Sequence, residues 1–475
     1  MSRLLFLQKL QYEFLGPMYV SAAAQKRGHE CRLAIGDDLS DFERRIETFK
    51  PDLIGFSIMT GGHEWALDTA RKIKARYGLP NIFGGAHPTF FPKFLEEDGV
   101  DMIIRGEGEI AAAEVLDAMD AGSDASGIAN LGCKRGGVPR VNPLRRLPER
   151  LDDFAFPDRR LYNELDGKMD RSVRNVLTSR GCPFHCSFCF EDAMREMYKG
   201  KGKYVRIRDI DKVIEECVEL KNSTGVETIY FADDLFGMNK EWLYEFLKVY
   251  RERVGLRFIC LVRADLVAAD KDYAANLAQA GCENVFFGVE SGNEELRNKV
   301  LVKGTTDEQI HRAARLLHGA GIRFRTYNIM GLPGETLEDA FKTVQLNIDI
   351  RADFPWCSLF SPIPGLALTD YAVKGGWLPS DFNSNEINQS FFLENPLNLP
   401  QKKEIQNLQK FFQLAVRFPW TFPIIKKLIR LPANPIFTIL FGFMYFVNYI
   451  RSERRGFLKT FFFGLRNWRY VLAKQ

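Results

Sequence analysis

The chain has 475 residues, of which 46% are apolar and 27% are charged. This length predicts two or three folded domains, and the composition excludes a disordered chain. The net charge of +4 is small for so long a chain and indicates no particular partner, so we expect no nucleic acid to bind.

The first 125 residues alternate between short apolar strands and amphipathic helices. This order predicts an α/β domain with an open, doubly wound parallel sheet of the Rossmann type, whose ligands bind beyond the carboxyl ends of the strands. The predicted strands are Arg3–Gln8, Cys31–Ile35, Leu53–Ser57, Asn81–Phe83 and Met102–Arg105. The predicted helices are Pro17–Arg27, Leu39–Thr48, His63–Tyr77, Phe90–Glu97 and Ile110–Met119.

A second alternating region is predicted at residues 171–375. Residues 126–170 before it are rich in glycine, proline, arginine and aspartate, which predicts a linker with room for a small ribbon. Six strand–helix units in a row then predict a partial (β/α)6 barrel, with its chemistry at the carboxyl ends of the strands. The predicted strands are Asn175–Ser179, Thr228–Ala232, Arg257–Val262, Asn284–Val289, Phe324–Met330 and Trp356–Phe360. The predicted helices are Asp209–Asn222, Lys240–Arg253, Lys271–Ala280, Asp307–Gly319, Thr336–Asp349 and Leu366–Val373.

Residues 376–475 lack this alternation and are predicted to form a helical, aromatic and basic carboxyl-terminal region. From Phe418 onward lysine and arginine recur, and Glu453 is the only acidic residue. The uncharged stretch Pro435–Ile450 is shorter than the roughly 18–20 residues of a membrane-spanning helix. Its aromatic residues among basic ones suit peripheral contact with anionic lipid, and equally a helical cap over the active site.

The nine cysteines indicate metal binding or catalysis more than disulfide bonds. Their number is odd, and Met1–Leu10 begins like a core strand, without the features of a secretory signal. We therefore expect a reducing, cytoplasmic location, with contact to the inner face of the membrane left open. Six cysteines are scattered and are expected to be small buried residues: Cys31, Cys133, Cys217, Cys260, Cys282 and Cys357.

Cys182, Cys186 and Cys189 lie in one loop directly after the first predicted barrel strand, with the spacing Cys-x3-Cys-x2-Cys. Thiolates hold iron–sulfur clusters, and three of them can bind three irons of a cubane while the fourth iron has no protein ligand. An open metal position is typical of catalytic sites, and the amine and carboxylate of a methionine moiety could chelate it. The alternative is a structural zinc site, with His185 or a distant cysteine as the fourth ligand.

This loop resembles that of the radical S-adenosylmethionine superfamily, since Phe188 precedes the third cysteine and Arg180-Gly181 and Pro183-Phe184 flank the first. Later segments at strand ends resemble the same family: Phe231–Phe236, Arg263–Asp265, Gly288–Gly292 and Gly331–Thr336. The resemblance implies a 4Fe-4S cluster that cleaves S-adenosylmethionine reductively to a 5′-deoxyadenosyl radical. It also implies that S-adenosylmethionine is contacted by Phe188, Asp233, Asp234, Arg263, Glu290, Ser291 and Gly331. Helix caps, an ion pair of Arg263 and a tight turn at Gly331 are the structural alternatives.

The amino-terminal region resembles the cobalamin-binding branch of that superfamily, on the segments Leu15–Pro17, Gly55–Thr60, Gly84–Thr89 and Asp101–Glu109. The resemblance implies that cobalamin is bound by Gly16, Ser57, Thr60, Gly84, Gly85 and His87. The chain lacks the Asp-x-His-x-x-Gly motif that supplies a histidine to cobalt, so we expect no protein imidazole on the metal. The alternative is a domain that only packs on the barrel.

The resemblance favours methylation of an unactivated carbon in a small-molecule or lipid-like substrate, with cobalamin as the methyl carrier. It also implies an electron donor such as flavodoxin or ferredoxin. A radical cyclase or oxidoreductase with the same cofactors is the first alternative. The second is a metal-binding interaction protein without enzymatic activity.

Overall fold

The computed structural model describes residues 1–165, 171–223, 225–387, 390–392 and 394–453. It divides into an amino-terminal unit, Met1–Met169 with Glu196–Tyr204, and a second unit, Asp170–Arg195 with Val205–Gln475. The predicted boundaries at residues 125, 170 and 375 stay predictions. The basic residues from Arg454 onward lie outside the described residues.

The amino-terminal unit is built on a seven-stranded sheet in the order β2-β1-β3-β4-β5-β6-β7. Its first five strands are parallel, and five of the six residues of the central strand β1 are buried, as expected for a strand covered on both faces. The strands are β1 (Arg3–Gln8), β2 (Glu30–Ile35), β3 (Leu53–Ser57), β4 (Asn81–Gly84), β5 (Met102–Ile104), β6 (Leu131–Arg135) and β7 (Val138–Val141). The helices are α1 (Leu15–Lys26), α2 (Leu39–Phe49), α3 (His63–Tyr77), α4 (Ala86–Phe90), α5 (Glu109–Ala121) and α6 (Arg160–Asn163).

One detail of this unit differs from the sequence prediction, and another agrees with it. The helix predicted at Phe90–Glu97 is wrong, because α4 ends at Phe90 and a 3-10 turn follows at Pro92–Glu96. Proline disfavours a helical conformation at the residue before it, and Phe91 accordingly leaves the helical region. The small ribbon is present as β6 and β7, and it extends the main sheet in antiparallel fashion.

The second unit contains a six-stranded, all-parallel sheet in the order β15-β14-β13-β12-β11-β8, with helices between the strands. The strands are β8 (Val173–Val176), β9 (Ser179–Arg180), β10 (Arg206–Ile207), β11 (Thr228–Phe231), β12 (Arg257–Leu261), β13 (Cys282–Glu290), β14 (Arg323–Met330) and β15 (Phe354–Leu359), of which β9 and β10 pair separately. The helices are α7 (Phe190–Met197), which runs on into the amino-terminal unit, α8 (Ile210–Lys221), α9 (Lys240–Arg253), α10 (Ala264–Ala269), α11 (Tyr273–Gln279), α12 (Asp307–Gly319), α13 (Leu337–Asp349), α14 (Ala367–Lys374), α15 (Lys402–Arg417), α16 (Phe422–Leu428) and α17 (Pro435–Glu453). The predicted fold class, a doubly wound sheet, a partial barrel and carboxyl-terminal helices, is confirmed.

Local sequence explains where several barrel helices begin. The side chains of Thr306 and Thr336 each accept a hydrogen bond from the backbone amide three residues later. The side chains of Gln309 and Asp339 each accept one from the backbone amide of the cap residue. These capping boxes fix the starts of α12 and α13. Both helices follow loops at the carboxyl ends of strands, so the caps also hold the segments that carry candidate site residues.

The carboxyl-terminal helices cover the outer edge of β15, the last strand of the barrel sheet. The Gln409 amide of α15 donates a hydrogen bond to the Cys357 carbonyl (2.9 Å), and the Leu359 amide donates to the Phe391 carbonyl (2.8 Å). An edge strand otherwise presents a row of unpaired backbone groups. Over the described ranges, no helix is both long enough and apolar enough to cross a membrane.

Candidate active site

The cysteine loop lies where the sequence predicts it, after β8 and the short strand β9, and α7 begins directly after Cys189. All three thiols are free, and Cys186 interacts electrostatically with both Cys182 and Cys189. Burial raises the pKa of the Cys182 thiol and raises that of Cys189 to about 12. In the part of the chain that the structure describes, no three histidine, cysteine, aspartate or glutamate side chains are arranged to hold a metal ion.

The donor atoms of the loop fit an iron–sulfur cluster better than a four-ligand zinc site. Three free thiols in one loop are the ligand type that such clusters use. His185, the suggested fourth zinc ligand, is exposed and hydrogen-bonds to Asp192 (3.0 Å) and to Arg195. The imidazole is therefore engaged by the first turns of α7 and not by the cysteines.

Residues 300–305 form a segment, here called the strap, that holds the cysteine loop. The sequence analysis did not identify it. The Ser187 amide donates to the Leu301 carbonyl (3.0 Å), and the Ser187 hydroxyl donates to the Val300 carbonyl (2.6 Å). The Ser187 carbonyl accepts a hydrogen bond from the Leu368 amide at the start of α14 (2.9 Å). Ser187 lies between the second and third cysteines, so these bonds fix the middle of the loop.

Asp233 and Asp234, both predicted to contact S-adenosylmethionine, have different surroundings. Asp233 is buried, and one carboxylate oxygen accepts hydrogen bonds from the Thr178 amide and hydroxyl (both 2.9 Å) and from the Ser179 hydroxyl (2.6 Å). Burial nevertheless raises the pKa of Asp233 to about 7. Asp234 is exposed and interacts electrostatically with Cys182 and Cys189. Asp233 thus anchors the chain before the cysteine loop, whereas Asp234 lies beside the thiols.

Arg263 forms the ion pair given as its structural alternative, and it also contacts the cysteine loop. Its guanidinium pairs with both oxygens of Asp265 (2.9 and 3.0 Å) and donates to the Lys303 carbonyl (2.7 Å). The same group stacks on the Phe184 ring, with its centre 3.5 Å from the ring centroid, and Nη1 lies 3.9 Å from the Cys186 sulfur. Arg263 therefore ties α10, the strap and the cysteine loop together.

Glu290 ends β13 in a strained conformation and forms a buried ion pair with Lys303. Its φ of 64° is unusual for a residue with a side chain, and the sheet register shifts at this point. Its carboxylate lies 2.7 Å from the Lys303 ammonium, and a Cβ on Gly288 would overlap both groups. The Lys303 ammonium also lies 5.9 Å from the centroid of the Phe188 ring, so the pair adjoins the aromatic residue of the cysteine loop.

Gly331 has the structural role given as its alternative, a tight turn, whereas Ser291 does not cap the helix that follows it, Leu296–Val300. Ser291 is fully buried, and its hydroxyl accepts a hydrogen bond from the Asn293 amide (3.2 Å). Gly331 has a φ of 78° and its amide donates to Glu335, whose pKa burial raises to about 8. Asn395 donates to the Gly331 carbonyl (2.6 Å) and occupies the place that a Cβ would need. This turn therefore requires glycine whether or not a ligand approaches it.

The residues predicted to bind cobalamin gather at the carboxyl ends of β1, β3 and β4. Gly16 lies in the first turn of α1, and a Cβ there would be 3.7 Å from the exposed Ser57 hydroxyl. Gly85 follows Gly84 with a φ of 94°, and a Cβ there would be 2.6 Å from the Ile58 carbonyl oxygen. At this edge of the sheet, backbone segments pack closely without side chains between them. Such a surface suits a ligand that lies directly against the main chain.

His87, predicted at the same edge, is a buried neutral imidazole. It stacks on His63 with ring centroids 4.0 Å apart, and its Nδ1 lies 3.2 Å from the Thr60 hydroxyl. Burial and the neighbouring imidazole lower the pKa of His87 to about 3. These contacts engage the imidazole with neighbouring protein groups.

Comparison with known proteins matches both units. Residues 176–346 match the radical SAM superfamily and residues 9–116 match the B12 binding domain. An uncharacterised methyltransferase of Pyrococcus horikoshii is 29% identical over 373 residues, which are 77% of this chain and 79% of the relative. The anaerobic magnesium-protoporphyrin IX monomethyl ester cyclase of Rubrivivax gelatinosus is 28% identical over 350 residues, 70% of this chain and 60% of the relative.

A solved structure supports the fold over almost the whole chain. The cobalamin-dependent S-adenosylmethionine radical enzyme OxsB, with aqua-cobalamin and S-adenosylmethionine bound, has a TM-score of 0.69 at 17% identity. The superposition covers 96% of this chain and 72% of that one. By the family matches, the chain carries a radical SAM domain at residues 176–346 and a B12-binding domain at residues 9–116. This pair of domains implies the three predicted cofactors: a 4Fe-4S cluster, S-adenosylmethionine and cobalamin.

Proposed function

We propose that this enzyme methylates an unactivated carbon of a small-molecule or lipid-like substrate. The observation that carries the proposal is the presence of a B12-binding domain and a three-thiol loop on a partial barrel in one chain. When bound, the cluster would supply the electron that cleaves S-adenosylmethionine, and the corrinoid would supply the methyl group. The electron itself would come from a small donor such as flavodoxin or ferredoxin.

The chain's own residues would bind and position these groups. Cys182, Cys186 and Cys189 would ligate the cluster. Phe188, Asp234 and the Glu290–Lys303 pair adjoin that loop and would face S-adenosylmethionine, with Gly331 allowing close approach of the backbone. Three further residues would help only indirectly, by holding the backbone of the site in place, because their side chains are hydrogen-bonded to neighbouring protein groups: Asp233, Arg263 and Ser291.

Anaerobic reconstitution tests the proposal. Reduced, reconstituted enzyme should cleave S-adenosylmethionine to 5′-deoxyadenosine, and Cys186→Ala should abolish cleavage because one cluster ligand is lost. Cys133→Ala is the matched control, since Cys133 is a free cysteine in the amino-terminal sheet. Protein with a full cluster and bound S-adenosylmethionine that cleaves none would contradict the proposal.

A radical cyclase is the second candidate, because one curated relative carries that name. Transfer of isotope-labelled methyl from S-adenosylmethionine to product separates the two functions. Hydroxocobalamin should stay with the protein through gel filtration and show a shifted visible spectrum. Cleavage without methyl transfer, in enzyme that retains corrinoid, would favour the cyclase.

We also propose peripheral contact between a cytoplasmic enzyme and the inner face of the membrane. Trp420 and Ile436 are each 73% exposed, and Ile439 is 70% exposed. They belong to a set of exposed apolar residues in the carboxyl-terminal region: Phe418, Trp420, Ile424, Leu431, Ile436, Ile439 and Phe443. No acidic residue occurs between Glu404 and Glu453, while Arg417, Lys427 and Arg430 are exposed there. Exposed apolar side chains among cations suit a bilayer with anionic headgroups.

Vesicle sedimentation tests this contact without radical chemistry. The protein should sediment with phosphatidylcholine vesicles that contain about one third phosphatidylglycerol, and much less with phosphatidylcholine alone. Trp420→Ala combined with Ile439→Ser should weaken sedimentation. Val138→Ala is the control, because Val138 is an exposed apolar residue on the amino-terminal sheet. Equal sedimentation of all variants, or none by the wild type, would contradict the contact.

A further inference from the structure

The segment after the cysteine loop enters the amino-terminal unit. Helix α7 begins directly after Cys189, and Tyr198 follows its last residue. Residues 196–204 belong to the amino-terminal unit, where the Leu147 amide donates to the Lys201 carbonyl (2.7 Å) and Tyr198 is buried. One short helix is therefore the covalent link from a proposed cluster ligand to the B12-binding unit.

Tyr198 is inserted at the carboxyl end of β5. The Glu107 amide donates a hydrogen bond to the Tyr198 hydroxyl (3.0 Å). Gly106 beside it has a φ of 71°, and a Cβ there would overlap that hydroxyl. The turn at Gly106–Glu107 is thus shaped around the phenol, because only glycine leaves the necessary space.

Two further hydrogen bonds connect this turn to the proposed corrinoid edge. The Gly106 amide donates to the Thr89 hydroxyl (3.0 Å), and that hydroxyl donates to the Gly85 carbonyl (2.7 Å). Gly85 is packed against Ile58 without room for a side chain. A ligand that orders the Gly85 turn would therefore restrict Thr89, Gly106 and Tyr198 through contacts of ordinary hydrogen-bond length.

Helix α7 is able to respond to such a restriction. None of its eight residues, all of which the structure describes, is buried. A helix without a buried face is held weakly by packing, so its order depends on polar contacts and on the anchors at its ends. Arg195 of α7 donates to the carbonyls of Cys182 (3.2 Å) and Phe184 (3.0 Å), which ties the helix to the cysteine loop. The anchor at its carboxyl end is Tyr198.

We propose that Tyr198 is a positioning residue that transmits corrinoid binding at the Gly85 turn to α7 and so to the cysteine loop. This inference rests on the proposed function, because it requires that the amino-terminal unit binds a corrinoid. Coupling of this kind needs a continuous physical connection and an element whose order both ends influence. The hydrogen bonds from Gly85 to Tyr198 provide the first, and α7 provides the second.

Hydrogen–deuterium exchange of the reconstituted enzyme tests the inference. Saturating hydroxocobalamin should slow exchange across residues 190–197 of the wild type by about five-fold, the effect of one ordinary hydrogen bond. In Tyr198→Phe the corrinoid should still bind, but the slowing at α7 should be lost. The methylated product formed per 5′-deoxyadenosine should fall in the same variant. Thr89→Val, which removes both hydrogen bonds of the Thr89 hydroxyl with a side chain of the same shape, should give the same result.

Tyr250→Phe is the matched control, since the buried Tyr250 hydroxyl also has a backbone partner, the Leu256 carbonyl (3.1 Å), but lies in the barrel unit. It should behave as the wild type. Slowing at α7 that survives in both Tyr198→Phe and Thr89→Val would overturn the coupling alone. A wild type that binds corrinoid without any change at α7 would overturn it equally. A wild type that binds no corrinoid would overturn the proposed function together with this inference.

Discussion

Replacement of Lys303 by methionine would remove one partner of the buried Glu290–Lys303 pair. The two side chains are 8% and 9% exposed, and their charged groups lie 2.7 Å apart. Methionine keeps most of the volume beside Phe188 but leaves the Glu290 carboxylate buried without its cation. Breaking a buried pair in this way costs roughly 3–5 kcal/mol. For a unit of this size, each kcal/mol lowers the melting temperature by about 2 °C, so we expect a loss of about 6–10 °C.

Circular dichroism melting under anaerobic, reducing conditions measures this loss. The double variant Lys303→Met with Glu290→Gln should recover at least half of it, because no uncompensated charge then remains buried. Lys299→Met is the control, since Lys299 pairs with Glu295 on the surface, where both side chains are more than two-thirds exposed. If Lys303→Met melts at the same temperature as the Lys299→Met control, the reasoning about the buried pair is refuted. It is also refuted if the double variant melts no higher than Lys303→Met alone.

Three further predictions concern the turns around the sites. The pKa of Glu335 is raised to about 8 in the folded protein. The free energy of unfolding should therefore fall by about 1.4 kcal/mol per pH unit as the pH rises from 4.5 to about 8. In Glu335→Gln this pH dependence should be absent when urea unfolding is compared at about pH 6 and pH 8. Gly85→Ala should cost about 2 kcal/mol through strain at a φ of 94°, and gel filtration should show less retained corrinoid. Asp233→Asn should remove an analogous fall in stability between about pH 4 and 7, because the pKa of Asp233 is raised to about 7.

The sequence was sufficient for the features that depend on local pattern. Apolar strands alternating with amphipathic helices predicted both parallel sheets, and the spacing of Cys182, Cys186 and Cys189 placed the loop between a strand and a helix. Gly331 was also predicted correctly as a position in a tight turn. Gly85 and Gly331 each have a positive φ and lie too close to a neighbouring group for a residue with a side chain. These properties are decided within a few residues of each position.

Residues whose partners are distant in sequence were missed. Lys303 belongs to no motif, and its importance follows only from the strap that brings it beside Glu290. Tyr198 likewise gains its role from Glu107, which lies 91 residues earlier. Arg263 was predicted, but its contact with Cys186, which lies 77 residues earlier, was not. Sequence pattern reports which faces are apolar, and it does not report which polar side chains meet across a fold.

The way α15 shields β15 has a practical consequence for anyone who shortens this protein. A fragment that stops at Lys374 would lose the Gln409 amide and the Phe391 carbonyl that satisfy the outer side of that strand. Its backbone groups would then be open to the same strand of another copy, and such fragments are expected to precipitate by joining strand to strand. A catalytic core made for expression therefore has to extend at least through Arg417.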